Sequence, residues 1–242
     1  MNYIIIGYGK MGKTIVEVAN KRGHNLISII DNANDWDKNE SFLKSADVVF
    51  EFTKPDSAPD NILKCFNFNL PVVCGTTGWL DKFENIKNEC INKGKTLFYS
   101  SNFSIGVNIL MELNRQLAII MNNFSQYIVN IEETHHIHKL DSPSGTAIVL
   151  AKDIIKKIQR LKDYNTGKSG NSQLLDIISY REDEIAGIHN IIYESDVDII
   201  ELKHTAKNRK GLAEGAVLAA EWVQNRRGGV YSMYDLLGFG SM

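Results

Sequence analysis

Ile4-Ile5-Ile6-Gly7-Tyr8-Gly9-Lys10-Met11-Gly12 carries the first clue to the fold class. A short continuous apolar run that ends on a glycine reads as a buried parallel strand. A G-x-G-x-x-G pattern follows at once and opens a helix over Lys10 to Lys21, with Met11, Ile15, Val16, Val18 and Ala19 as its apolar stripe. Each glycine in such a turn has its own task. The first makes the tight turn, the second lets a pyrophosphate approach the backbone, and the third lets helix and strand pack closely. The helix start then offers unpaired N–H groups and a partial positive charge to the phosphates. Gly7, Tyr8, Gly9, Lys10, Met11 and Gly12 are therefore candidate dinucleotide-binding residues.

The next apolar run, Leu26 to Ile30, closes on Asp31. An acidic residue at that strand end suits an adenosine ribose diol. The following residue is Asn32 rather than a cation, so the pattern favours NADH over NADPH. Three more apolar runs follow, at 48–52, 71–74 and 96–99, with helical patterns at 58–68 and 79–92 between them. Phe52-Thr53 and Gly75-Thr76-Thr77 fall where parallel strands deliver their carboxyl ends, and they are candidates for the nicotinamide side of the cofactor. Strands and helices alternating at this spacing predict an α/β fold, with an N-terminal Rossmann-type doubly wound parallel sheet.

The pattern changes near residue 104. A long helical stretch (105–124), an alternating strand (127–132) and a helix (145–158) are followed by a polar, glycine-containing loop (164–172). Strand-like runs at 174–179, 187–193 and 197–204 come next, then helices at 211–223 and 231–236. This predicts an inserted α+β domain. The boundaries are 1–104 for dinucleotide binding, 105–208 for the insertion, and 209–242 for helices that return to the first domain.

Bulk properties narrow the function classes. The 242 residues carry a formal net charge of -2, with no basic helix, so neither nucleic acid nor an acidic membrane surface is an expected partner. No apolar run reaches the length of a membrane span. The start of the chain lacks a signal-peptide pattern. Three cysteines without a C-x-x-C fit a reducing compartment. The expected location is the cytoplasm.

The chemistry concentrates in Glu133-Thr134-His135-His136-Ile137-His138-Lys139-Leu140-Asp141-Ser142-Pro143-Ser144-Gly145-Thr146-Ala147. Ser144, Gly145 and Thr146 lead into a helix and form an anion pocket suited to a carboxylate. Lys139 adds a positive charge and a proton. A histidine exchanges protons near neutral pH. As a metal set the run is poor: on a strand His136 and His138 share one face, His135 lies opposite, and only distant acids could complete the ligands. No metal is expected.

This run resembles the signature of the dihydrodipicolinate reductase family, E-x-H-H-R-H-K-x-D-A-P-S-G-T-A. The Gly7 to Gly12 loop, Phe52-Thr53, Gly75-Thr76-Thr77-Gly78 and Ser101-Asn102-Phe103-Ser104 also match family motifs in order. The resemblance implies reduction of the dihydrodipicolinate skeleton to tetrahydrodipicolinate with NADH or NADPH, on the diaminopimelate route to lysine. It implies His135 as catalytic acid/base and Lys139 as second proton donor. By the same resemblance His136, Ser144, Gly145 and Thr146 bind the dicarboxylate substrate, and Ser100, Ser101, Asn102 and Phe103 join the nicotinamide end. The inserted domain then carries substrate binding and the contacts of a homotetramer. Ile137 departs from the signature, where an arginine stands, and Ser142 replaces alanine. Two other classes fit the dinucleotide motif alone: a different Rossmann-fold dehydrogenase, and a non-catalytic NAD-binding sensor.

Overall fold

The computed structural model describes residues 1–226 and 228–241. The chain divides into two compact units, 1–105 with 210–242 and 106–209. The predicted segment 209–242 includes two residues, 227 and 242, that lie outside the described ones. Among the described residues, no helix is long and apolar enough to cross a membrane.

The first unit holds a parallel six-stranded sheet. Its strands are β1 (Asn2–Ile6), β2 (Asn25–Ile30), β3 (Val48–Glu51), β4 (Val72–Cys74), β5 (Thr96–Tyr99) and, at the far edge, β11 (Gly229–Tyr231), in the order β11-β5-β4-β3-β1-β2. The odd positions Tyr3 and Ile5 of β1 face one core and the even positions Ile4 and Ile6 the other, as side chains alternating across a strand must. The first core is closed by α1 (Lys10–Lys21) and α8 (Lys210–Val223), the second by α4 (Ala58–Asn67) and α5 (Phe83–Asn92). A sheet covered on both faces explains why its strands read as unbroken apolar runs. Because β1 pairs with both β2 and β3, strand order reverses there, and ligand crevices form at that switch point. The edge strand β11 was not legible in sequence. Neither were two short helices, α2 (Asp35–Lys38) and α3 (Glu40–Leu43), which carry the chain from β2 back to β3.

The second unit is a five-stranded mixed sheet of β6 (Ile128–His135), β7 (Asp163–Thr166), β8 (Leu174–Arg181), β9 (Gly187–Glu194) and β10 (Ile199–Ala206), in the order β10-β9-β6-β8-β7. One face packs Val129, Ile131, Ile177 and Ile191 against α6 (Ile105–Met121) and α7 (Gly145–Ile155). Two expectations are corrected. The loop at 164–172 begins as strand β7, because its first residues pair with β8. Strand β6 runs on to His135, because Glu133, Thr134 and His135 continue the ladder with β8.

Candidate active site

In the first unit the chain turns at Gly7, whose φ of +92° suits a residue without a Cβ. A Cβ on Gly12 would stand 2.2 Å from the Gly7 carbonyl oxygen, so only glycine lets α1 lie this close to the turn. At Gly9 a Cβ would meet nothing within 4 Å, and this N-cap carries no side-chain hydrogen bond. The helix start is open on the side a pyrophosphate would use. Asp31 Oδ1 accepts from the Tyr8 amide at 2.7 Å, which ties the glycine turn to the end of β2.

Two cavities lie along this edge. One of about 610 Å³ is lined by Gly7, Tyr8, Gly9, Asp31, Asn32 and Thr53, with Lys54 and Lys64 among its cations. The other, of about 360 Å³, is lined by Met11, Phe52, Thr53 and residues 75–77 and 101–103. Lys10, Gly12 and Ser100 line neither. Ser100 instead bonds within its own turn, its hydroxyl donating to the Asn102 carbonyl at 2.7 Å.

Sequence reading missed Glu51, which is fully buried at the end of β3. Its carboxyl accepts from the Thr53 hydroxyl, from Thr76 Oγ1 at 2.6 Å, from Cys74 Sγ at 3.2 Å and from Asn61 Nδ2 at 3.3 Å. Thr76 Oγ1 also accepts from the Thr53 amide at 2.8 Å. The hydroxyls of two cavity-lining threonines are thereby turned to one buried acid. A glutamate closing an apolar run was the available signal.

In the second unit, His135 ends β6 on its core-facing side and is 8% exposed. Its Nδ1 lies 2.5 Å from Oε2 of the fully buried Glu133. Glu133 Oε1 accepts from the Ser144 amide at 3.2 Å and from Arg181 Nη2 at 3.1 Å. Arg181 also donates to the Asp141 carbonyl at 2.6 Å, pinning the turn that carries Lys139. Burial would push the Glu133 carboxyl up, but the hydrogen bond and charge of His135 together with Arg181 outweigh it and hold it at about 2. The metal reading therefore needs correcting. A nearby acid does face a histidine, and the His/acid cluster is Glu133, His135 and His189. His136 and His138 do not share a strand face, because the strand stops at His135 and they sit in a turn.

Ser144 caps α7, its Oγ accepting from the Ala147 amide at 3.2 Å. Ser144 Oγ also lies 3.2 Å from His189 Nε2, at hydrogen-bond distance. Burial, with the nearby His135, pushes the His189 pKa down to about 4. Ahead of Gly145 the helix start is open, with nothing within 4 Å of a Cβ position. Lys139 Nζ lies 2.7 Å from both oxygens of Asp141. Glu133 was missed as well, because the strand was expected to end at residue 132; its parity with His135 was the available signal. His189 and Arg181 gave none, since they arrive from other strands.

His189 makes stability depend on pH. The unfolded chain takes up this proton near the ordinary value of 6.5, the folded chain only near 4. The contribution is full above 6.5 and is lost as pH falls towards 4, by about 3 kcal/mol. Urea unfolding at about pH 7 and about pH 4.5 measures it, and His189→Gln is expected to flatten the profile. A parent whose stability is level across that window contradicts the assignment.

Comparison with known proteins gives a consistent match. Residues 1–103 match the family model for the dihydrodipicolinate reductase N-terminus, and residues 106–237 that for its C-terminus. The chain is 42% identical over 238 residues to a 4-hydroxy-tetrahydrodipicolinate reductase of Christiangramia forsetii, covering 98% of each. It is 35% identical over 230 residues to the enzyme of that name from Rickettsia rickettsii, covering 94% of this chain and 95% of that one. Among solved structures, a dipicolinate-bound dihydrodipicolinate reductase from a Paenisporosarcina species aligns with a TM-score of 0.77 at 20% identity, over 96% of this chain and 97% of that one.

Proposed function

The chain belongs to the dihydrodipicolinate reductase family and, as an NAD(P)H-dependent oxidoreductase of the diaminopimelate route to lysine, reduces the dihydrodipicolinate skeleton to tetrahydrodipicolinate; we propose that His135 is its acid/base and Lys139 its second proton donor. One observation carries this reading. A single stretch of the second unit holds an imidazole oriented by a buried carboxylate, an ammonium group and an open helix N-terminus. Bound NAD(P)H supplies the hydride. The glycine turn of the first unit, with Tyr8, Lys10 and Met11, holds its pyrophosphate. Asp31 takes the ribose diol, and Phe52, Thr53, Gly75, Thr76, Thr77 and residues 100–103 take the nicotinamide end. Gly145 and Thr146 hold one substrate carboxylate through the unpaired amides of the first helical turn, with Ser144 at the cap beside them, and His136 assists with the other. Glu133 keeps the His135 ring in place through Nδ1, so that Nε2 exchanges the proton.

Residues 1–104 with 209–242 then serve as the dinucleotide-binding part, and 105–208 as the substrate-binding and tetramer-forming part. The open face of the second sheet supports a homotetramer. Ile128 and Ile199 are 66% and 58% exposed there, in one row with Glu194. Light scattering on the purified protein is expected to give four copies, and Ile128→Lys a smaller species. Three buried free cysteines suit the cytoplasm.

The test is spectrophotometric oxidation of NADH and NADPH in the presence of the enzymatically generated substrate. Turnover is expected with both, and faster with NADH, because the Asp31 carboxylate repels a ribose 2′-phosphate. Asp31→Ser is expected to shift the kcat/KM ratio towards NADPH by roughly tenfold, the scale of about 1.4 kcal/mol. An unchanged ratio removes Asp31 as the selector.

A further inference from the structure

Glu51 lines neither cavity of the first unit, yet Thr53 and Thr76, which donate to it, both line the smaller one. Its side chain is fully buried. Neutral donors satisfy the carboxyl, Thr53 and Asn61 on Oε1, Thr76 and Cys74 on Oε2, and among the described residues no cation pairs with it. Burial, with the Glu51 charge beside it, pushes the Cys74 thiol well up, so this thiol keeps its proton and donates. A carboxyl buried without a cation costs stability beside an apolar side chain of similar size. Packing therefore does not account for it.

Its effect falls on the two turns it joins. Thr53 follows β3 and Thr76 follows β4. Thr76 Oγ1 donates to Glu51 at 2.6 Å and accepts from the Thr53 amide at 2.8 Å, so one hydroxyl ties the two turns to the acid. The Thr76 carbonyl is held separately, by Trp79 Nε1 at 2.7 Å. Beside this polar brace the turns fit closely. A Cβ on Gly75 would stand 2.1 Å from Cε1 of the Phe52 ring. The same ring lies 5.8 Å, centroid to centroid, from that of Phe103. Phe52, Gly75, Thr76 and Phe103 are all walls of the smaller cavity. The shape of that cavity depends on the spacing of the two turns, and Glu51 fixes the spacing from the buried side.

We infer that Glu51 is a positioning residue for the nicotinamide end of the cofactor, acting through Thr53 and Thr76. The inference rests on the reading that the smaller cavity takes that end. Glutamine has nearly the same shape, but it accepts through one oxygen only and its amide nitrogen donates. Whichever way the amide turns, one of the two threonine hydroxyls then faces a donor, and the brace loosens.

The test titrates the full-length protein calorimetrically with NADH and with ADP-ribose, which lacks the nicotinamide. In Glu51→Gln the Kd for NADH is expected to rise roughly tenfold, while that for ADP-ribose stays at the parental value. Thr76→Val, which removes the bridging hydroxyl, is expected to show the same selective loss. The double variant is expected to lose no more than either single one, because both changes break one contact. A merely structural glutamate would weaken both ligands alike, with a lower melting temperature and additive losses. Parental NADH affinity in Glu51→Gln, or an equal loss for ADP-ribose, overturns the inference while a selective loss in Thr76→Val keeps the cavity reading. Thr76→Val with parental NADH affinity overturns the cavity reading itself, and the inference with it. A Glu51→Gln protein that does not fold leaves Thr76→Val to decide, an equal loss of both ligands overturning the inference.

Discussion

Lys139→Ala is expected to lower kcat by roughly 10²–10⁴-fold, the range for loss of a positioned proton donor. The reason lies in where the ammonium stands. It follows the last strand residue, His135, by one turn, and Asp141 holds it at 2.7 Å through both oxygens. Arg181 fixes that turn from β8 through the Asp141 carbonyl. The ammonium is therefore placed by its surroundings rather than left to sample solvent. Alanine removes the proton and the charge without touching the buried cluster, so the melting temperature and NADH affinity are expected to stay at parental values. Steady-state kinetics with calorimetric NADH titration separates the two. A Lys139→Ala enzyme with parental kcat would exclude Lys139 from the chemistry.

Glu133→Ala carries the second large effect, and it is expected in both stability and rate. Glu133 is fully buried and receives His135, the Ser144 amide and Arg181. Removing one partner of a buried ionic cluster leaves the others uncompensated, at a cost of roughly 3–5 kcal/mol. Partial exposure of Arg181, at 21% of its side chain, places the expectation at the lower end. His135 also loses the contact that orients its ring, so kcat is expected to fall with the melting temperature. Glu133→Gln separates these effects, since it keeps the shape and loses the charge. Its stability is expected to lie between parent and alanine, while its kcat falls nearly as far as that of alanine. Thermal melts beside kinetics at saturating substrate decide it. A Glu133→Gln enzyme with full kcat would show that the carboxylate charge is not needed to orient His135. The sign with pH also follows. The Glu133 carboxyl is held at about 2 against an ordinary value of 4.5, so its contribution is present above 4.5 and disappears as pH falls towards 2.

How much was legible depended on how local each cause is. The glycine turn was readable because its reasons are short-range. Gly7 needs its positive φ, and Gly12 meets the carbonyl of Gly7 in the same turn. The parallel strands were readable because a sheet buried on both faces demands unbroken apolar runs. The cap at the start of α7 was readable because Ser144 and the Ala147 amide it receives stand three residues apart. β11 escaped because so short an edge strand makes no pattern of its own; it exists only where β5 offers it a partner. β7 looked like a loop for the same reason, as polar residues become a strand once β8 pairs with them.

The α/β class, the nucleotide turn and the histidine–lysine segment thus follow from the order of amino acids alone, since each is set by interactions within a few residues. What surrounds those residues was chosen by the folded chain. Glu51 turns two threonine hydroxyls inward, His189 meets the Ser144 hydroxyl from a neighbouring strand, Arg181 ties Glu133 to Asp141, and Arg209 reaches His136 from 73 positions away. Most of these contacts join residues far apart in the chain. Burial and strand register bring them together, and neither can be read from local spacing.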